Sequence, residues 1–368
     1  MRIARLLATA VALPMARPMK MSGVRIATAD NVLVRVEEGG GGVGWGEAAS
    51  APSMTGETVA SMVAAVRYLA SFLEGLPAEG LGAIHAEMDW RLYGNHAAKS
   101  AIDMALHDLV ARARSVPVHA LLGTQHRTRV PALWMIGTGS TEADLREAAE
   151  KRTAGFVAYK LKVGAGDPQA DAERTARICT ALGTGKLISA DANQGWTPEQ
   201  AIAYVRAVAS TAIDFLEQPV RGDDLAGMAR VAAASRVPIG ADEGVHGIDD
   251  IARHHAAAAA SGVSLKTIKL GGLGAAHQAA LLCERLGMKV NLACKIAESS
   301  IATAAVLHLA AAAPALDWGV SLSSQYLAAD LVRSPIAIRD GHASVPEGPG
   351  LGIEVDEARV REYRRPPR

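Results

Sequence analysis

The chain is poor in cysteine, has no excess of charge of either sign, and carries no long apolar run bounded like a membrane span. Its three cysteines, Cys179, Cys283 and Cys294, are scattered singly. None sits at zinc-ligand spacing. An odd, sparse count fits a reducing compartment better than an exported disulfide framework, so the expected location is the cytoplasm. Thirty-eight basic residues balance 38 acidic ones, which argues against a nucleic-acid groove or a basic membrane-surface patch. The alanine runs near 255–260 and 302–313 fit buried helices rather than spans. Histidine is missing where a metal hydrolase needs it, because His246 and the pair His254-His255 do not recur at strand ends.

What is present suffices for a barrel of roughly 250 residues and a second domain of about 100. Of the 368 residues 49% are hydrophobic and 21% charged, which supports a sizeable core. Met1-Arg2-Ile3-Ala4-Arg5 and the apolar stretch to Ala16 resemble a short signal peptide. Interruptions at Pro14 and Arg17, and the lack of a disulfide framework, favour a first strand instead.

The first 125 residues read as α+β. Asn31 to Val36 alternates as a strand, Glu37 to Gly42 is a glycine-rich turn, and Val43 to Glu47 returns as the second arm of a hairpin. A helix over Ala98 to Leu109 stops before Pro117. From Val130 the pattern changes to strand–helix repeats. Strands are predicted over 130–136, 156–162, 187–191, 213–217, 237–242, 263–268, 288–294 and 317–322, with alanine-rich helices such as 198–209 and 274–286 between them. Eight such units predict an α/β fold built on a closed parallel (β/α) barrel of the TIM type. The expected division is a capping domain over 1–125, completed by the tail from about 340 to 368, and a barrel domain over 126–339. The stretch Pro346 to Gly352 is read as irregular chain returning to the cap.

Five polar residues recur at barrel-like intervals. Lys162, Asp191, Glu217, Asp242 and Lys266 are separated by 29, 26, 25 and 24 residues. Each interval fits one strand, one helix and two short loops, so all five fall at the same end of successive strands. Lys160 and Lys162, two apart on one strand, share a face. Their mutual repulsion and burial are expected to lower the pKa of one of them toward the range where a neutral amine acts as a base. Converging carboxylates from Asp191, Glu217 and Asp242 call for a cation between them. An all-oxygen set selects a hard ion, Mg²⁺ ahead of Mn²⁺ or Ca²⁺, whereas zinc would want His or Cys. Asn193 is placed to hydrogen-bond a metal-bound water. Glu243 points away from the site if its strand continues, which makes it a supporting group. For the second amine, Lys266 and Lys269 are near-equal candidates on the residues alone.

The sequence resembles the enolase superfamily, in the muconate-lactonizing branch of the mandelate racemase/muconate lactonizing enzyme family. The resemblance rests on Ala98 to Gly123, ending Pro117-Val118-His119-Ala120-Leu121-Leu122-Gly123, and on the stretch from Ile188 through Asp191-Ala192-Asn193 to Leu216-Glu217-Gln218-Pro219. Lys160-x-Lys162, Ala241-Asp242-Glu243, Lys266-x-x-Lys269-x-Gly271-Gly272 and Glu298-Ser299-Ser300 add to it. It implies an α+β cap over a modified barrel, Mg²⁺ on Asp191, Glu217 and Asp242, and bases at Lys162 and Lys266. Lys266 is thereby preferred to Lys269, Lys160 joins the catalytic set, and a homo-oligomer is expected. The implied chemistry is removal of a proton α to a substrate carboxylate with stabilisation of the enolate. The main reading is therefore an isomerase, a cycloisomerase or a racemase/epimerase, acting on a small carboxylic acid.

The alternatives are a hydroxy-acid or acid-sugar dehydratase of the same superfamily and a non-catalytic binding protein on its scaffold. Dipeptide epimerases of the family are expected to carry Asp-x-Asp where Ser321-Leu322-Ser323 stands, and muconate enzymes a glutamate at Ser321. This chain departs from both patterns. Lys295 falls just past the seventh strand and is expected to pair with a second anionic group of the substrate. Glu298 and Ser321 are taken as substrate contacts or supports. Met19, Met21, Met54 and Trp134 are expected to line an apolar wall, beneath covering segments Arg17 to Met21 and Ala49 to Thr55.

Overall fold

In the computed structural model, which describes residues 1–21 and 24–367, the apolar N-terminal stretch is the edge strand of an antiparallel sheet. That strand, β1 (Ile3–Met21), pairs with β2 (Val24–Glu38), which pairs with β3 (Val43–Ala49) across the expected glycine-rich turn. Three helices, α1 (Val59–Leu73), α2 (Leu81–Arg91) and α3 (His96–Ala113), share an apolar core with the sheet. Helix α3 lies so close to β3 that a Cβ on Gly46 would meet the Ala101 carbonyl oxygen at 2.0 Å. Backbone on backbone leaves nothing flexible to move aside. Gly46→Ala is expected to destabilise the protein by roughly 3 kcal/mol, read as a lower urea midpoint at unchanged slope. An unchanged midpoint would show that the contact yields.

After the short α4 (His119–Leu122), β4 (Arg129–Pro131) does not enter the barrel. The strand expected over 130–136 is split, because Pro131 has no N–H to donate to a ladder. The barrel begins with β5 (Leu133–Ile136) and continues through β6 (Ala158–Lys162), β7 (Leu187–Asp191), β8 (Phe215–Glu217), β9 (Ile239–Ala241), β10 (Gly262–Leu265), β11 (Lys289–Ala293) and β12 (Val320–Ser321). These eight strands are parallel neighbours in that order, and a parallel bridge from Ala132 to Val320 joins the last to the first.

The outer helices are α5 (Thr141–Thr153), α6 (Pro168–Leu182), α7 (Pro198–Ala207), α8 (Leu225–Ala234), α9 (Ile248–Ala256), α10 (Thr267–Leu270), α11 (Leu273–Leu286) and α12 (Ser300–Ala312). Side-chain caps from Asp167, Thr197, Asp224 and Ser299 start four of them, with Pro168 and Pro198 at first-turn positions. The strand expected over 263–268 ends at Leu265. The Lys266 carbonyl instead accepts from Lys269 and Leu270, and Gly271 at φ 89° closes the short helix. Between β12 and residue 338 the chain forms no outer α-helix, only a 3₁₀ turn at Ser324–Tyr326, so the barrel is of the modified type.

Strand β13 (Ile338–Arg339) pairs with β14 (His342–Ser344), which pairs with β4. The tail helix α13 (Glu357–Tyr363) then packs on β1. The N-terminal end of the barrel is plugged by the Phe215 ring stacked on Trp318 at 4.0 Å. Gly262 makes room, since a Cβ there would meet Trp318 at 2.5 Å. The cavity on the barrel axis therefore opens at the other end. One clasp ties the sheet to the barrel. The buried Glu47 of β3 accepts from Ser299 N and Oγ at 3.0 and 2.6 Å and from Ala302 N at 3.2 Å, so it caps α12 from across the interface. Asn31 of β2 donates both to Glu47 and to the Ala297 carbonyl. Among the described residues no helix is long and apolar enough to cross a membrane.

Candidate active site

Strand register brings the five predicted residues together. Lys162 is paired with Asp191, Asp191 with Glu217, and Glu217 with Gly240. Asp242 lies two residues past Gly240 and so shares its face. Three carboxylates thus stand at the C-terminal ends of three neighbouring strands, β7 to β9, where barrel active sites are built. Lys162 ends β6 and Lys266 follows β10. Those strands are four apart in a ring of eight, so the two amines approach the acidic arc from opposite sides.

Each acid is held by a lysine. Lys162 Nζ donates to Asp191 Oδ2 at 2.6 Å and to Asn193 Oδ1 at 2.7 Å. Lys160 Nζ donates to Glu217 Oε2 at 2.5 Å and lies 4.0 Å from Asp191. Lys266 Nζ donates to Asp242 Oδ2. The expectation that repulsion and burial lower one amine of the Lys160–Lys162 pair fails for Lys160. Burial pulls it down, but the Glu217 and Asp191 carboxylates outweigh that and hold it above the usual lysine range. Lys266 is raised in the same way, against burial, by Asp242 and Glu217. Asp242 is depressed despite its burial, by Lys266 and Lys269. Glu217 is raised by burial, with Asp191 and Asp242 adding to it against Lys160.

The donor set suits a hard divalent cation. Glu217 Oε1 is buried with no hydrogen-bond partner, on the middle strand of the acidic arc. All three side chains offer oxygen, the ligand type such ions prefer. Among the described residues no three acidic, cysteine or histidine side chains already stand in coordinating geometry, which follows from each carboxylate being turned onto an ammonium.

Two supporting residues escaped the sequence reading. Lys269, the other candidate for the second amine, does not line the cavity. It is fully buried behind Asp242, donating to Asp242 Oδ1 at 2.6 Å and to the Ser264 carbonyl at 3.1 Å. Gln218 Oε1 accepts from Asp242 N at 2.8 Å and Gly244 N at 3.1 Å, fixing the end of β9. Its only sequence signal was its place inside Glu217-Gln218-Pro219. Asn193 bridges Lys162 to Glu243, donating to Glu243 Oε1 at 3.1 Å. Glu243 is outside the lining of this cavity. Burial, Asp242 and Asp191 push its carboxyl up to about 7. Asn193 (φ 43°), Gln218 (φ 35°) and Ala297 (φ 83°) all adopt left-handed backbone at strand ends around the site, the kind of strain that concentrates where geometry is imposed.

The far wall of the cavity carries Leu133, Met135, Lys295, Ile296, Ser321, Leu322 and Tyr326. Trp134 is not part of it. Alternation along β5 sends Leu133 and Met135 inward and Trp134 outward, where it packs against Phe156 and donates to Glu147 Oε1 at 2.9 Å. Glu298 is also off the cavity surface. It lies beneath Lys295, accepting from the Lys295 N–H at 2.8 Å, with Oε1 buried and unpartnered. Met54 reaches the cavity from the covering segment, which His246 Nε2 holds through the Met54 carbonyl at 2.7 Å. At the other segment Arg17 pairs with Glu147, and Met19 lies beside a neighbouring pocket that reaches Lys162. The Met21 side chain falls outside the described residues.

With this geometry in place, comparison with known proteins defines the class. The family model described as mandelate racemase/muconate lactonizing enzyme, N-terminal domain, matches residues 4–123, and the one described as enolase C-terminal domain-like matches residues 144–359. The chain belongs to the mandelate racemase/muconate lactonizing enzyme family of the enolase superfamily. Within it, the similarities lie in the muconate-lactonizing branch. The chain is 32% identical to the chloromuconate cycloisomerase of Pseudomonas sp. (strain P51), over 99% of this chain and all of that one. It is 31% identical to the L-Ala-D/L-Glu epimerase of Bacillus subtilis (strain 168), over 96% of this chain and 97% of that one. The crystal structure of the 2-chloromuconate cycloisomerase from Rhodococcus opacus 1CP superposes with a TM-score of 0.95 at 32% identity, covering both chains completely. All three are isomerases, and the chain is an enzyme of that kind.

Proposed function

We propose that this enzyme works through the enolate of a small organic acid: it removes the proton α to the carboxylate and returns one, or it lets a carboxylate oxygen add to a conjugated double bond and delivers a proton to the α-carbon of the enolate so formed. The observation that carries the reading is the opposed pair Lys162 and Lys266, on strands facing each other across the acidic arc. Asp191, Glu217 and Asp242 are the residues that would hold a divalent cation, with Mg²⁺ proposed and Mn²⁺ as a substitute. Such an ion supplies Lewis-acid stabilisation of the charge that develops on the substrate carboxylate.

The chain's own groups do the rest. Lys162 Nζ takes or returns the α-proton on one face, oriented by Asn193 Oδ1 at 2.7 Å. Lys266 Nζ serves the other face, as the second acid–base group in a racemisation or as a positive charge beside the reacting carbon in a cycloisomerisation. Lys160 stays on Glu217 and offsets its buried charge. Met54, Met135 and Leu322 exclude water from the amines. Neither relative named above is a dehydratase, so the isomerase reading is preferred to that alternative.

The proposal includes the division into a cap over 1–125, completed by the tail from about 340, and a barrel over 126–339. It also includes a cytoplasmic, homo-oligomeric enzyme. The test is incubation with Mg²⁺ and a panel of carboxylic acids in D₂O, followed by mass spectrometry. Uptake of one deuteron at the α-carbon of at least one acid, either by exchange or with ring closure of an unsaturated acid, is the expected result. Loss of water on turnover would move the enzyme to the dehydratases, and no change in any acid would sink the reading.

A further inference from the structure

Folding takes nearly every large apolar side chain of this chain out of water. Among the described residues four stay exposed: Tyr68 (48%), Trp90 (81%), Tyr93 (98%) and Ile248 (50%). Three of the four meet at one place on the cap. Tyr68 and Phe72, one turn apart on α1, touch edge to face with ring centroids 5.2 Å apart. The Arg91 guanidinium at the end of α2 lies over the Phe72 ring, 4.4 Å from its centre. That contact brings Trp90, its neighbour on α2, and Tyr93, two residues further on, to the same end of the helix pair. The left-handed residues Gly94 (φ 61°) and Asn95 (φ 53°) turn the chain directly after Tyr93 and leave its ring at the tip.

The outward face of α1 suits contact better than water. Its exposed residues are Ala60, Ser61, Ala64, Arg67, Tyr68 and Ser71, and Arg67 is the one charged residue of the helix. Helix α5 shows the opposite habit, with Glu142, Arg146, Glu150 and Arg152 all exposed. Ahead of its aromatic end α2 likewise exposes small residues, Gly82, Ala83 and Ala86. An aromatic side chain brings roughly 150–250 Å². At the exposures above, Tyr68, Trp90 and Tyr93 leave roughly 450 Å² in water. Each partner of a standard interface buries roughly 800 Å², so these rings supply about half of one side and the two helix faces extend it.

Charge decides what docks there. Arg67 and Asp89 adjoin Tyr68 and Trp90 in sequence, and Arg91 pairs with Glu87 at 2.8 Å. The surface charges around the rings are thus two of each sign. A nucleic acid or an anionic membrane surface would call for a basic excess. A two-fold axis sets a patch against itself, so a patch of one sign would repel its copy, and a balanced one does not.

We propose that this face, α1 with the end of α2, receives the same face of a second copy of the chain about a two-fold axis. This rests on the homo-oligomeric reading above and gives it a surface. None of the described cavity-lining residues lies on α1 or α2, so the association leaves the cavity open. It sits instead beside a support of the site. Just past the turn the His96 ring donates to the Lys269 carbonyl at 2.5 Å, and docking braces the segment from which His96 reaches that lysine behind Asp242.

The experiment is sedimentation velocity, at one protein concentration, of the wild type, of the double variant Trp90→Glu with Tyr93→Glu, and of Ile248→Glu. The wild type is expected to sediment as an oligomer, and the double variant at half that mass or less with an unchanged circular dichroism spectrum. Ile248→Glu alters the remaining exposed apolar side chain, on α9, and should keep the wild-type mass. Should the double glutamate variant lose its dichroism, Trp90→Ser with Tyr93→Ser replaces it, since both side chains are too exposed to hold the fold. An oligomeric wild type whose mass survives the double variant overturns this surface and leaves the homo-oligomeric reading standing. Equal dissociation by Ile248→Glu does the same. A monomeric wild type overturns both and leaves the rings to a different protein.

Discussion

Replacing Lys162 by alanine is expected to reduce α-hydrogen exchange by roughly 10²–10⁴-fold, the usual worth of a positioned general base. Binding of an unreactive carboxylate should persist, because the acidic arc and the far wall remain. The paired variant Lys266→Ala sorts the reaction type. In a racemase each amine serves one enantiomer. Lys162→Ala would then lose exchange from one hand and Lys266→Ala from the other. In a cycloisomerase both exchange and ring closure would follow Lys162, while Lys266→Ala would slow turnover without making exchange one-sided. The measurement is mass spectrometry of each enantiomer in D₂O. Exchange at the wild-type rate in Lys162→Ala would remove that residue from the chemistry.

Glu217→Gln carries the second large effect. Glu217 sits on the middle strand of the arc, keeps one buried oxygen without a partner, and shares Lys160 as its counter-charge. The amide removes the negative charge and leaves the Lys160 ammonium buried beside a neutral group. Affinity for Mg²⁺, read by calorimetry, is expected to fall by more than the roughly 10–100-fold that loss of an outer-sphere partner costs. Activity should fall with it, and excess Mg²⁺ should restore part of it. An unchanged Mg²⁺ isotherm would mean that the ion is held elsewhere. The variant also tests the lysine pairing, since Lys160 would be left with Asp191, 4.0 Å away, as its nearest acid.

Much of this arrangement is legible in the sequence, for a simple reason. A barrel repeats one unit, and residues with the same job recur at one unit's length. The intervals between Lys162, Asp191, Glu217, Asp242 and Lys266 therefore carried the architecture and the gathering of these side chains together. What the sequence hid were matters of parity and depth. Leu133-Trp134-Met135-Ile136 is apolar throughout, as buried parallel strands are, so nothing in it says which residues face inward. Trp134 was assigned to the wrong face for that reason. On the residues alone Lys269 could not be told from Lys266 as the second amine. It is buried because the chain turns into a helix three residues earlier than the apolar pattern suggests, which tucks its ammonium under Asp242. Gln218 offered only a neutral side chain beside a conspicuous acid, and its part as a brace for the next strand is visible only once the register is known.

The clasp formed by Glu47 has a bearing on protein engineering. Its hydrogen bonds hold the first turn of the helix that directly follows the Lys295 loop, so the N-terminal portion is no detachable cassette. A chimera that grafts the front portion of a relative onto this barrel would have to bring an acid and an amide matching Glu47 and Asn31 to meet Ser299 and Ala297. A graft that neglected them would loosen the wall that carries Lys295 while leaving the acidic arc on the opposite wall untouched.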